Sequence, residues 1–144
     1  MKKGSDIADS PWNGNQFASK SYIHSIRESK KQSIQDAKKA SQEYVNDNIA
    51  DFAKTNNYES LGQAAHTKMD ATCPSHVDDN GNPLIFSEQK LKDHNAGNDS
   101  KDESRRNKGV SNVKNVIREG LKQRDEYIKS QNNPNKEQGK STDK

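Results

Sequence analysis

The chain has 144 residues, 26% hydrophobic, 6% aromatic and 31% charged, which bounds it to one domain at most. A mean hydropathy of −1.37 leaves little to fill a core and leans toward disorder, yet 24 basic and 21 acidic residues nearly cancel to +3, too small an excess for self-repulsion to hold the chain open. No apolar run approaches the ~20 residues of a membrane span, the start Met1-Lys2-Lys3-Gly4-Ser5-Asp6 lacks the apolar stretch of a secretory leader, and the single cysteine, Cys73, excludes a disulfide framework and a multi-cysteine zinc finger. The composition predicts a small, thin-cored, all-α domain of three main helices with a long polar loop and disordered termini.

Residues 1–16 carry Gly, Ser, Asp, Pro11 and Asn13-Gly14 and read as an irregular arm in which Trp12 docks by packing. The helical domain is expected over 17–129. From about Ser19 to Lys54, Ile23, Ile26, Ile34, Ala37, Ala40, Tyr44, Val45, Ile49 and Phe52 recur at steps of three and four, predicting one helical stretch. Its small middle, Ala37, Ala40 and Ser41, would admit a second helix closely. Thr55-Asn56-Asn57 breaks it, and Asn56 with Glu59 resembles a capping box for the next helix. That helix is predicted from Tyr58 to Ala71, burying Tyr58, Leu61, Ala65 and Met69 and stopped by Pro74.

Asp78-Asp79-Asn80-Gly81-Asn82-Pro83 is a turn cluster, and Leu84-Ile85-Phe86 after it suits a short hairpin or an ordered loop. One or two helical turns fit 87–93, and the polar run from Asn95 to Lys108 reads as a loop. A third helix is predicted from Gly109 to Lys129, with Val110, Val113, Val116, Ile117, Leu121, Tyr127 and Ile128 on one side and Gly120 marking a close contact. Residues 130–144 read as a disordered tail.

The chain holds four histidines, His24, His66, His76 and His94. His66 and Asp70 share a helix face one turn apart, and a turn after Pro74 can bring His76 back toward that face. Two imidazoles and a carboxylate at a helix end suit zinc or a related divalent cation; the plainer alternative is a surface His–Asp pair beside a loop histidine. Cys73, flanked by His66 and His76, could instead be a thiolate nucleophile. Arg27 and Lys68 lie near these residues in sequence and could hold a phosphate, or simply be solvated.

The pattern His66-x3-Asp70-x3-Pro74-x-His76, with Leu61-Gly62 before it, resembles the metal-binding motif of the zinc-dependent phospholipase C and single-strand nuclease superfamily. The string Tyr58-Glu59-Ser60-Leu61-Gly62-Gln63-Ala64-Ala65-His66-Thr67-Lys68-Met69-Asp70-Ala71-Thr72-Cys73-Pro74-Ser75-His76 is similar to C-terminal toxin domains of Rhs-repeat polymorphic toxins. There the motif follows an arm and long helix like Ser21-Tyr22-Ile23-His24-Ser25-Ile26-Arg27. The resemblance covers roughly residues 12–99.

It implies an all-helical, metal-dependent phosphodiester hydrolase with His66, Asp70, His76 and His24 as catalytic residues and His66, Asp70, His76, His94 and Asp99 as metal ligands. It also implies delivery into a target bacterial cell by a parent Rhs-type scaffold, action in the cytoplasm, and a cognate immunity protein. One departure stands out: the superfamily has a further histidine followed, with three residues between, by a glutamate. The nearest counterpart is His94-Asn95-Ala96-Gly97-Asn98-Asp99, with Asn98 where that glutamate would stand and Asp99 one residue later. Dispersed basic residues, among them Lys114, Arg118, Lys122 and Arg124, and a sequence pI of 8.9 permit contact with a phosphate backbone, and too few spare apolar residues for a membrane-facing rim tilt the substrate toward nucleic acid. Phospholipid is the alternative, and a non-catalytic helical interaction module the rival of another class.

Overall fold

The computed structural model describes residues 18–88 and 102–133. Within them the chain is all-α: a short 3-10 helix at Ala18–His24, α1 at Ile34–Thr55, α2 at Tyr58–Asp70, a 3-10 turn at Phe86–Glu88, and α3 at Glu103–Gln131. The expected arm 1–16 with Trp12, the stretches 89–93 and 95–101, and the tail beyond 133 lie outside the described residues.

Helix ends follow local polar chemistry. Ser33 Oγ accepts the Asp36 N–H at 3.0 Å and opens α1. Asn56 closes it in the left-handed conformation, φ 59°, with its N–H on the Phe52 carbonyl at 2.8 Å. The next residue, Asn57, caps α2 by accepting the Glu59 N–H at 3.0 Å. The two asparagines divide the tasks, so the capping box expected from Asn56 does not form.

The long helix expected from Ser19 is interrupted. Ser25 takes a positive φ of 55°. Arg27 then gives its N–H to Leu84 at 2.8 Å and accepts from Phe86 at 2.7 Å, a parallel bridge to Ile85. Burying Ile26 and Ile85 against this bridge replaces the intrahelical bonds that the period alone would predict. The turn cluster is an ordered loop: Asp78 N–H meets Asn82 O at 2.9 Å, Leu84 N–H meets His76 O at 2.8 Å, and Gly81 supplies the φ of 72°.

Helix α3 starts six residues ahead of its expected Gly109. Asp102 Oδ1 caps it at the Arg105 N–H, 3.0 Å, and the Arg105 guanidinium reaches Val77 O, Asp78 O and Asp79 Oδ1 at 3.3, 3.0 and 2.8 Å. A polar run with no apolar period is thus anchored by one arginine.

The core joins Val45, Ile49 and Phe52 of α1, Leu61, Ala64 and Ala65 of α2, and Val116 of α3, each helix packing on the other two. Gly120 lets α3 approach: a Cβ there would stand 2.7 Å from Leu61 Cδ1 and 3.2 Å from Phe52 Cδ1. The apolar side expected on α3 splits in two. Val116 is buried, while Val110, Leu121 and Ile128 are exposed. Tyr58, expected inside, is 50% exposed and lays its ring against Phe52 at 5.1 Å. No described helix is long and apolar enough to cross a membrane.

Candidate metal centre

Helix α2 presents His66 and Asp70 on one face, and two hydroxyls bring a third group to them. Thr67 Oγ1 donates to Ile23 O at 2.6 Å, and Ser25 Oγ donates to Thr67 O at 2.8 Å. These bonds flank His24 in sequence and clamp the end of the 3-10 helix onto α2. The His24 ring is thereby delivered to the His66–Asp70 face.

His24 Nδ1 and His66 Nε2 each lie 3.0 Å from Asp70 Oδ2, and 3.2 Å from one another. A tetrahedral zinc with ~2.0–2.1 Å bonds separates neighbouring ligand atoms by about 3.3 Å, so the triangle has the size a small divalent cation requires. The donor set, two imidazoles and a carboxylate, suits zinc-like ions. His24, His66 and Asp70 could therefore hold a metal ion.

His76 completes the surroundings from the far side. Its Nε2 stands 3.7 Å from Asp70 Oδ1, and its ring stacks on His24 with centroids 6.0 Å apart. The side chains of His24, His66, Asp70 and His76 are only 6, 8, 5 and 9% exposed. Burial alone would raise the Asp70 carboxyl; hydrogen bonds from His24 and His66 and the charges of His76 and His66 outweigh it and hold the group well below the usual carboxylate range.

The sequence singled out His66, Asp70 and His76 as the first set and gave His24 a catalytic place rather than a ligand's. The fold brings all four together, with His24 in the triangle and His76 on the second carboxylate oxygen. His94 and Asp99 lie outside the described residues. Thr67 and Ser25, which position His24, carry no motif; only their adjacency to histidines in sequence hints at them. Cys73 Sγ points back at Met69 O, 3.6 Å away, at the α2 terminus. Arg27 turns toward its own loop, with Nη1 3.4 Å from Gln32 O. The Lys68 ammonium, depressed by burial, reaches Gln42 Oε1.

Comparison of the chain with protein-family models, with curated proteins and with solved structures found no match.

Proposed function

We propose that this chain is a metal-dependent phosphodiester hydrolase with nucleic acid as its substrate, acting as a toxin domain delivered into bacterial cells. The observation that carries the metal reading is the triangle of His24 Nδ1, His66 Nε2 and Asp70 Oδ2, whose members come from positions 42 and 46 residues apart. A divalent ion held there would lower the pKa of a bound water toward ~7 and polarise a phosphoryl oxygen. Asp70 fixes both imidazoles in orientation. His76, outside the triangle, is the group left to exchange a proton with the leaving oxygen.

Preference for nucleic acid over phospholipid rests on α3, where Lys108, Lys114, Arg118 and Lys122 supply cations for a phosphate backbone. The exposed Val110 and Leu121 on the same helix are interspersed with these charges and form no continuous apolar rim. An immunity protein and a Rhs-type delivery scaffold are the partners this reading implies.

The seclusion of the four side chains favours a second reading, since structural metal sites are closed while catalytic ones keep an open position. On that reading the chain is a non-catalytic helical module with a structural ion. Metal analysis of the purified chain, with digestion of DNA, RNA and phospholipid vesicles with and without chelator, separates the two. Chelator-sensitive digestion of nucleic acid supports the hydrolase. Bound metal with no digestion leaves the structural ion, and digestion that survives chelation removes the metal mechanism.

A further inference from the structure

The small strip of α1 borders a cleft whose opposite wall includes Thr67, Lys68 and Ala71 of α2. Ala37 and Ser41 are buried, and Ser41 faces a cleft of about 290 Å³ between α1, α2 and the 77–83 loop. Ser41 is 8% exposed, and its buried hydroxyl has no hydrogen-bond partner among the described residues. A mid-helix serine ordinarily turns its hydroxyl to a carbonyl one turn back; this one is left for whatever enters the cleft, because a buried hydroxyl without a partner is costly.

Two ammonium groups share that space. Lys38 Nζ lies 3.2 Å from Asn82 Oδ1, and Lys68 Nζ donates to Gln42 Oε1. Both ammonium groups hydrogen-bond to neutral amide oxygens, and among the described residues none lining the cleft is acidic. Asp78, outside the cleft lining, feels the charge of Lys38, while its Oδ1 accepts the N–H groups of Asn80 and Asn82 at 2.9 and 2.8 Å. Val45, Val77 and Pro83 supply apolar wall. The volume is near the lower end of the ~300–1,000 Å³ of small-molecule sites.

We infer that this cleft binds a phosphate monoester, its phosphate between Lys38, Lys68 and the Ser41 hydroxyl and its organic body against Val45, Val77 and Pro83. Lysines act on phosphate as point charges, whereas a carboxylate ligand would call for the planar fork of an arginine, and no arginine lines the cleft among the described residues. The site lies on the face of α2 beside that of the imidazoles and does not rest on the metal reading.

The test is calorimetric titration of the full chain with adenosine monophosphate and with inorganic phosphate, each with and without chelator. Saturable binding of the nucleotide is expected in both conditions, at least about tenfold tighter than inorganic phosphate. Ser41→Ala and Lys68→Gln should each weaken it by about tenfold or more, while Ser41→Ala melts no lower than the parent, because it removes a buried hydroxyl that lacks a partner. Persistence of nucleotide binding in a chain that takes up no metal supports the site independently of the hydrolase reading. Absence of saturable binding below about 1 mM, equal affinity for inorganic phosphate, indifference to both substitutions, or loss of binding in chelator would each overturn it.

Discussion

His24 and Asp70, 46 positions apart in the chain, meet at 3.0 Å between Nδ1 and Oδ2 with both side chains nearly sealed from solvent. A buried carboxylate is costly unless paired, and Asp70 is paired on both oxygens: His24 and His66 at Oδ2, His76 at Oδ1. Asp70 is the hub through which three separate segments depend on one another.

Keeping Asp70 charged has a consequence for stability against pH. Its folded pKa lies below the unfolded value of ~3.9, so on acidification the unfolded chain takes up the proton first. The stability it contributes is complete above about pH 4 and is lost as the pH falls through the lower folded value. Urea unfolding in chelator, followed from about pH 6 to pH 2, should show this decline. Asp70→Asn should start about 1–3 kcal/mol less stable at neutral pH and decline less steeply across the acid window. Equal slopes for the two proteins would assign the acid sensitivity to other groups.

Thr67 acts on the candidate metal centre through His24 and is not one of its three ligand side chains. Its hydroxyl holds Ile23 O at 2.6 Å and so fixes the approach of His24. Thr67→Val should reduce zinc affinity by about 10–100-fold, as loss of an orienting partner does, while costing the metal-free chain only about 1 kcal/mol. Thermal melts across a zinc series measure both quantities, because zinc at a hundred times its Kd adds about 2.7 kcal/mol. A variant that lost stability but kept the parent's zinc dependence would make Thr67 purely structural.

The all-α class, the α2 span and the close approach at Gly120 were legible because apolar period and punctuation agree there. The break at Ser25–Ser33 was not. Ile23 and Ile26 keep helical spacing, yet the chain after them leaves the helix for a bridge between Arg27 and Ile85 that no local pattern announces. The early start of α3 escaped for the same reason, since its first turn is held by Arg105 on the distant Val77–Asp79 loop. At the site, His66 and Asp70 are local in sequence and helical spacing found them. His24 needed long-range hydroxyl clamps at Thr67 and Ser25, which spacing does not encode.

Cys73 tests the choice between metal and thiolate chemistry. Its Sγ leans on Met69 O at the α2 terminus, the position of a side chain finishing a helix. Cys73→Ser should leave zinc uptake and chelator-sensitive digestion within about twofold of the parent, well under the tenfold that 1.4 kcal/mol represents. Digestion abolished by this substitution with zinc uptake intact would move the chemistry to the thiol.

Gly120 shows packing opposing intrinsic preference. Alanine is the better helix former by about 1 kcal/mol, but its Cβ would press on Leu61 and Phe52, both at the centre of the core. Overpacking costs about 1–3 kcal/mol, so Gly120→Ala should be destabilised by up to about 2 kcal/mol. Denaturant titration gives the sign directly. A variant more stable than the parent would mean that α3 can move outward freely and that the Gly120 contact does not set the helix spacing.

Arg124 ties the far end of α3 to the end of α1. Its Nη1 donates to Ala53 O at 2.9 Å and lies 3.3 Å from Lys54 O, carbonyls that α1 itself leaves open at its C-terminus. A cation there also meets the negative end of the helix dipole. Because the site is partly exposed, water would recover part of what is lost, and Arg124→Ala should cost about 1–2 kcal/mol, the low side of a charged hydrogen bond. Arg124→Met separates the two contributions, since it keeps most of the aliphatic stem and loses the donors. If the carbonyl bonds dominate, methionine and alanine melt together below the parent, and amide exchange quickens around Asn56. If methionine instead melts with the parent, the stem alone holds α3 to α1 and the capping bond contributes nothing measurable.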